Sequence, residues 1–350
     1  MNYYVGCDLH KSTTWFYIMD KFGKRVLSKS ISNSSDELHS FLSRIPGPFI
    51  LAVEATYNWY FFIDIAEQYA QTVYMADSYE LKAFAKRHKK TDKIDARLIA
   101  EVLRKGYLPS VTIVDKKTRR LRELLRYRIN LVKDRTRNIA RMKGMLDKLG
   151  EDSSGDFTTL KRIEHLKIEH LHEDYQKILS GYITRIKELS DKLRHIEKEI
   201  KNKAVEDEDT VNLMSLPGLK YFGSLLVKTE IADIKRFDTF SRLCAYAGLA
   251  PKVHQSGNSS IAGSLIKNRR KYLRWILLEE AQHFAKEDIN RLMKFETIKK
   301  KKGHNTAKVV LARDMLKLIY HILKEKRPYY SNNEKRIKIR AMTASALEIV

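Results

Sequence analysis

Four acidic residues, Asp8, Glu54, Asp92 and Asp95, are the side chains in this sequence best suited to chemistry. Asp92 and Asp95 stand three apart, so on a helix their carboxylates share one face. Glu54 follows the apolar run Phe49 to Val53, where an ionised side chain needs a reason to sit. Taken singly the acids also read as ordinary: Asp92 as a helix cap, Asp95 as a solvated partner of Arg97, Asp8 as a strand-end turn residue. Gathered together, four carboxylates repel and raise one another's pKa unless a divalent cation neutralises them, and hard oxygen ligands select Mg²⁺ or Mn²⁺. A metal so held activates phosphate oxygens.

A hydroxyl is the second candidate. Ser256 lies in His254-Gln255-Ser256-Gly257-Asn258, inside the glycine- and serine-rich stretch Gly248 to Gly263, which reads as a flexible loop flanked by basic helices. Such a loop either presents a hydroxyl to a phosphodiester or is a turn and nothing more. His254 stands two residues away, with no sign in the sequence that it reaches Ser256. Tyr246 is a rival hydroxyl, but its helix beside Leu243 and Leu249 assigns it to core packing.

The elements that must position the acids are legible. Asn2 to Leu9, Thr13 to Met19 and Lys24 to Ile31 are β-rich, with a Phe22-Gly23 turn before the third, and predict an antiparallel meander. Asn33-Ser34-Ser35-Asp36 caps a helix that buries Leu38, Phe41, Leu42 and Ile45 and stops at Pro46-Gly47-Pro48. Phe49 to Val53 is a buried strand, Asn58 to Tyr69 a helix, Thr72 to Met75 a strand, and two further helices reach Lys105. The order β-β-β-α-β-α-β-α is that of an RNase H-like domain, in which the first and fourth strands are neighbours. Asp8 and Glu54, each at the end of one of those strands, therefore converge, and a helix carrying Asp92 and Asp95 completes the cluster.

The partner is written in the charge. Lys plus Arg total 67 against 43 for Asp plus Glu, a net +24 over 350 residues, which points to a polyanion, with nucleic acid the leading candidate. Lys116 to Lys148 alone holds thirteen Lys/Arg against Glu123, Asp134 and Asp147. Its apolar spacing makes it one long basic amphipathic helix that offers Arg119, Arg120, Arg126, Arg137 and Arg141 to phosphates. Lys267, Arg269, Arg270 and Arg274 form a second group. Ile186, Leu189, Leu193, Ile196 and Ile200 step by three and four, the seam of a coiled-coil arm that joins two subunits or packs on its own protein. Leu213 to Leu219, with Pro217-Gly218, predicts a tight hairpin between helices whose freed N–H groups suit a phosphate.

The expected organisation is α/β plus α: an N-terminal domain over 1–112, the basic helix and arm over 113–205, a mostly helical domain over 206–330 and a polar tail over 331–350. Helices are expected over Asp238 to Ala247, Asn268 to Phe284 and Lys308 to Lys324. Two lone cysteines exclude a disulfide scaffold and fit a reduced cytoplasm. Asp8, His10, Lys11 and Asp20 break any apolar leader segment and no later stretch offers eighteen uncharged apolar residues, so neither a secretory leader nor a membrane span is expected.

Several motifs occur together in order: Gly6-Cys7-Asp8-Leu9-His10-Lys11, Val53-Glu54-Ala55-Thr56, Lys90-Thr91-Asp92-Lys93-Ile94-Asp95-Ala96-Arg97, Leu216-Pro217-Gly218, and Ala247-Gly248-Leu249-Ala250-Pro251 leading to Ser256-Gly257. On these the chain, from about Val5 to Pro328, resembles the DEDD-type insertion-sequence transposases, the family related to the Piv pilin-gene invertase and described as bridge-RNA-guided serine recombinases. The resemblance implies a RuvC-like N-terminal domain whose acidic quartet maps to Asp8, Glu54, Asp92 and Asp95. It also implies a C-terminal transposase domain whose nucleophile maps to Ser256. The expected partners are double-stranded donor and target DNA, a structured bridge RNA that carries sequence choice, and further copies of the chain, a homodimer assembling to a homotetramer at the bacterial or archaeal nucleoid. Lys220 and Arg269 stand where the family has glycines, so backbone approach to phosphate is looser there. The rival reading is a hydrolytic DEDD nuclease of the junction-resolvase kind, with Ser256 a bystander; a third is an RNA-binding scaffold without chemistry.

Overall fold

The computed structural model describes residues 2–84, 91–256, 259–265 and 270–329, and along 252–256 and 259–265 it describes the backbone alone. The chain divides into two compact units, Met1–Val114 and Asp115–Val350.

In the first unit, β1 (Tyr3–Leu9), β2 (Thr13–Met19) and β3 (Arg25–Ser32) form the expected antiparallel meander. After α1 (Ser35–Leu42), β4 (Phe49–Glu54) returns parallel to β1. Next come α2 (Trp59–Ala66), β5 (Thr72–Ala76) parallel to β4, the single turn α3 (Ser78–Leu81) and α4 (Asp92–Arg104). A two-residue edge strand, β6 (Ser110–Val111), closes the sheet in the order β3-β2-β1-β4-β5-β6. Two residues carry no periodicity, which is why the sequence did not announce β6.

Strand alternation decides which side chains meet. Val5, Cys7 and Leu9 pack with Leu51 and Val53 of β4 against Leu38, Leu42, Phe62 and Ile63 of α1 and α2. Tyr4 of β1 and Ile50 and Ala52 of β4 turn to the other face, where Ala96, Ile99, Ala100 and Leu103 of α4 cover them. Gly6, Asp8 and Glu54 belong by parity to this α4 face. The β1–β4 register pairs Cys7 with Val53, so Asp8 and Glu54 follow side by side.

Gly6 is the contact that lets α4 in. A Cβ at this position would stand 2.1 Å from the Ala96 carbonyl oxygen and 2.5 Å from the Ala100 nitrogen. Only a bare Cα, facing two alanines, allows helix backbone to lie on strand backbone. From Gly6 to Asp8 the strand advances about 6.6 Å, and from Ala96 back to Asp92 the helix retreats about 6 Å. The register of that contact therefore sets Asp92 beside Asp8.

The second unit opens with α5 (Lys116–Lys148), the long basic helix foreseen, capped by Asp115, whose side chain accepts from the Thr118 N–H at 2.9 Å. The short helix α6 (Leu160–Glu164) leads to α7 (Glu173–Val205). These two long helices run antiparallel: Ile139, Met142 and Leu146 meet Leu179 and Ile186, Leu131 meets Leu189 and Leu193, and Leu125 and Ile129 meet Ile200 and Ala204. Of the two readings of the seam, the structure takes the second: the chain's own α5 covers it.

Among the described residues six α-helices follow: α8 (Glu208–Met214), α9 (Tyr221–Ile231), α10 (Phe240–Tyr246), α11 (Lys271–Lys286), α12 (Ile289–Lys302) and α13 (His304–Glu325). They share one core with the Leu125 end of α5 and the Ile200 end of α7. The sequence reading did not include α12, because its Lys299–Lys302 run hides the apolar periodicity. Gly248 to Gly263 is corrected from a loop to a hairpin, β7 (Pro251–Ser256) paired antiparallel with β8 (Ser259–Leu265). Ser256-Gly257-Asn258-Ser259 carries the two-residue Gly-Asn signal of such a turn. The Pro217-Gly218 turn joins α8 to α9 as expected. Gly218 has φ +91°, and a Cβ there would stand 3.0 Å from the Phe284 nitrogen and 3.2 Å from the Glu280 carbonyl oxygen, so its bareness serves packing on α11.

Gly6→Ala forces α4 off β1 and is expected to cost about 3 kcal/mol or more of folding stability. Chemical denaturation of the variant beside the parent protein measures this.

Candidate metal centre and nucleic-acid face

Each acid reaches the cluster for a local reason. Asp8 ends a strand that is covered on both faces and is itself only 5% exposed. Thr91 caps α4, its hydroxyl accepting from the Ile94 N–H at 3.3 Å. Asp92 is thus the first helical residue rather than the cap, and Asp95 completes the first turn, where the helix dipole favours negative charge. Arg97 is tied to the next turn of its own helix, its Nε binding Glu101 Oε1 at 2.7 Å. Glu54 and Asp95 are half-buried and Asp92 is exposed.

Electrostatics ties the four together. Burial lifts the Asp8 carboxyl from 3.8 to about 6; the His10 imidazole pulls it down, while the negative charges of Glu54, Asp92 and Asp95 push it up. All three predicted neighbours therefore act on Asp8. Beneath it, burial and then the Asp8 charge push the Cys7 thiol well above its usual value, which leaves it an inert core group.

His10 is the site residue that sequence reasoning passed over. Its Nε2 lies 3.2 Å from Asp8 Oδ2 and 3.3 Å from Asp92 Oδ1. Its backbone is pinned: the N–H donates to the Thr13 carbonyl at 2.9 Å, and the carbonyl accepts from Asn33 Nδ2 and Asn58 Nδ2, each at 2.8 Å. Asn58 is in turn held by the Thr56 hydroxyl, which donates to its Oδ1 at 2.9 Å. Beyond Glu54, the Ala55 N–H donates to the Ala76 carbonyl at 3.2 Å and the Ser78 hydroxyl donates to the Ala55 carbonyl at 3.3 Å. The signal for His10 was its place two residues beyond Asp8. The donor set fits a divalent cation: ligand atoms of Asp8, His10 and Asp92 lie within 4.8 Å of one another, with two further carboxylates acting on Asp8.

The predicted phosphate-binding arginines divide. On α5, Arg120, Arg137 and Arg141 are exposed, Arg137 meeting Asp134 at 3.2 Å. Arg119 is 4% exposed, so it faces its own protein. Arg126 is half-buried, its guanidinium over the Tyr272 ring and bonded to Glu123 at 2.9 Å and to the buried Glu230 at 3.1 Å. Both adjoin the apolar stripe of α5, where a long arginine stem packs and its head finds an internal acceptor. Arg270 is half-buried with its guanidinium over the Tyr246 ring, and Arg274 is half-buried. Lys267 and Arg269 lie outside the described residues. Tyr246 packs as expected, its hydroxyl donating to the Glu230 carbonyl at 3.0 Å. Ser256 is the last residue of β7, opposite Ser259; its side chain and that of His254 lie outside what is described.

Comparison with known proteins gives the same reading. A family model described as a transposase, DEDD_Tnp_IS110, matches residues 5–150, which contain all four acids, and one described as "Transposase IS116/IS110/IS902 family" matches 211–295, which contain Ser256. The chain belongs to the IS110/IS116 family of transposases. It is similar to the transposase for insertion sequence element IS1328 of Yersinia enterocolitica, at 27% identity over 79% of this chain and 82% of that one. The transposase for IS1111A of Coxiella burnetii shares 26% over 71% and 70%, and the pilin gene-inverting protein of Moraxella bovis 30% over 49% and 57%. The transposase is thus a DNA recombination enzyme, and its acidic cluster suits the divalent metal that its family suggests. Among the described residues no helix is long and apolar enough to cross a membrane.

Asp8 gives a pH signature in metal-free transposase. Between 3.8 and about 6 the folded state holds the proton that the unfolded state has released, so this group's contribution to stability falls as pH rises through that window. Asp8→Asn removes the effect. In EDTA, the stability of the parent relative to Asp8→Asn is expected to drop by about 2 kcal/mol between pH 4 and pH 7. Denaturant unfolding of both proteins across that range measures it.

Proposed function

We propose that this transposase cuts and rejoins DNA through a phosphoserine intermediate, guided to donor and target by a structured RNA. The observation that supports the reading is the placement of Asp8 beside Asp92 and His10, with the charges of Glu54, Asp92 and Asp95 all acting on it. Four gathered carboxylates are costly unless a cation and a phosphate are their business. A divalent cation held by the four, Mg²⁺ or Mn²⁺, supplies positive charge for the developing negative charge on a phosphodiester.

The serine chemistry rests on the resemblance of Ala247 to Gly257 to the family's motif. The Ser256 hydroxyl forms an ester with phosphorus as it gives up its proton, and the departing sugar oxygen takes a proton up. Because the ester conserves the bond, a new sugar hydroxyl can displace the serine and reseal the strand without a high-energy cofactor. The exposed Arg120, Arg137 and Arg141 neutralise backbone phosphates of DNA or RNA without reading bases, which suits a protein whose sequence choice is delegated to RNA pairing. The resemblance also supports a dimer assembling to a tetramer at the nucleoid.

Trapping tests the chemistry. The full chain is incubated with element-derived RNA, Mg²⁺ and cognate DNA, denatured, and examined for protein covalently joined to DNA. An adduct is expected with the parent and none with Ser256→Ala. Nicked DNA without an adduct would make the enzyme a hydrolytic nuclease, and uncut DNA in a demonstrably assembled complex would make it a scaffold.

The arginine division is tested by salt. Arg120→Ala and Arg141→Ala should each lower the slope of log affinity against log salt by about 0.9. Arg119→Ala is expected to leave that slope unchanged and to lower the unfolding midpoint instead.

A further inference from the structure

We infer that His10 is a nitrogen ligand of the cation held at the acidic cluster, and that it shifts the site's preference from Mg²⁺ toward Mn²⁺. The inference rests on the metal-dependent reading above and adds to the quartet a residue that the carboxylate pattern does not contain.

The ring nitrogen sits where a ligand would. Nε2 is 3.2 Å from an oxygen of Asp8 on β1 and 3.3 Å from an oxygen of Asp92 on α4. A charge-assisted N–H···O⁻ bond closes to about 2.7–2.9 Å, and both contacts are longer. One ring nitrogen also carries at most one proton, so two oxygens on separate elements would have to share it in a weaker three-centre bond. The spacing instead resembles the edge between adjacent donors of an octahedral ion, about 3 Å for metal–ligand bonds of about 2.1 Å.

The support beneath the ring matches that role. Two side-chain amides donate to the His10 carbonyl, one from Asn33 beyond β3 and one from Asn58 beyond β4, and the His10 N–H donates to Thr13. Three separate segments thus fix the backbone of a residue whose side chain is 47% exposed. Surface histidines need no such anchorage; a ligand does, since its position has to be set before the metal arrives.

The consequence is selectivity. An all-carboxylate site is suited to Mg²⁺, which dehydrates reluctantly and prefers oxygen, whereas imidazole nitrogen favours first-row transition ions. Mn²⁺ accepts both donor types.

The test is spectroscopic and uses the full chain without DNA. Mn²⁺ is titrated into the parent, His10→Ala, His10→Asn and Asp8→Asn, with free Mn²⁺ counted by electron paramagnetic resonance and Mg²⁺ affinity read by competition. Electron spin-echo modulation then reports nitrogen bound directly to the ion. The expected result is a ¹⁴N modulation in the parent that shifts on ¹⁵N-histidine labelling and is lost in both His10 variants. Mn²⁺ affinity should also fall about tenfold or more, with Mg²⁺ affinity changing far less. The labelled parent gives the answer even if a variant folds poorly. Mn²⁺ bound in an Asp8-dependent manner with no nitrogen modulation would overturn the role of His10 and leave the metal site standing. Failure of the parent to bind either ion better than Asp8→Asn would overturn both.

Discussion

Backbone lies on backbone where α4 crosses β1 at Gly6, and the acidic end of the first unit depends on that contact. The Ala96 carbonyl occupies the space a side chain would take. Once the helix is seated there, the rise of the strand and the rise of the helix agree closely enough over two and four residues to bring Asp92 to Asp8. The parallel β1–β4 register brings Glu54 from the other side. Moving α4 outward by one side-chain layer would keep every element and lose the cluster. The Gly6-Cys7-Asp8 tripeptide therefore combines a contact, a core residue and a carboxylate of the acidic cluster in three successive positions.

Part of this was legible because it is periodic. Strand alternation and the three-residue spacing of Asp92 and Asp95 are local rules, and the order of elements sets β1 beside β4 whatever the loops do. His10 was not legible for the opposite reason. Its role comes from two amides beyond β3 and β4 and from a carboxylate on α4, none of them near it in sequence. The edge strand β6 and the β7–β8 hairpin were missed on length and on composition, since glycine and serine suggested a loop where Val253 and Ile261 alternate with polar neighbours.

The second unit shows the limits of charge counting. α5 spends the same residue type on two tasks. Arg122 donates to the Thr229 and Glu230 carbonyls, at 2.9 and 3.2 Å, and so serves the C-terminal end of α9. Arg126 reaches the Glu230 carboxylate, while Arg120 and Arg141 face solvent. Net charge reports their sum, and only packing separates structural cations from those free to meet a phosphate. The a/d seam of α7 is a parallel case. Its spacing states that a helix must cover it; it does not state whose, and α5, antiparallel and only a short segment away, meets the requirement within the chain.

Stability and function pull against each other at Asp8. Its carboxylate is buried among three like charges with one imidazole to oppose them, so near neutral pH the metal-free fold carries an ionised group that the unfolded chain would hold more comfortably. A ligand that binds only the folded state stabilises it in proportion to the logarithm of its occupancy, and a cation neutralising this cluster removes the same repulsion that lifted the pKa. Metal affinity and local stability thus share one cause. The fold keeps its acids gathered without the metal because Gly6, the β1–β4 register and the amide-pinned His10 hold them by backbone, which is indifferent to side-chain charge. A phosphate entering the cluster itself is favoured only with a cation in place, since the bare carboxylates repel an anion.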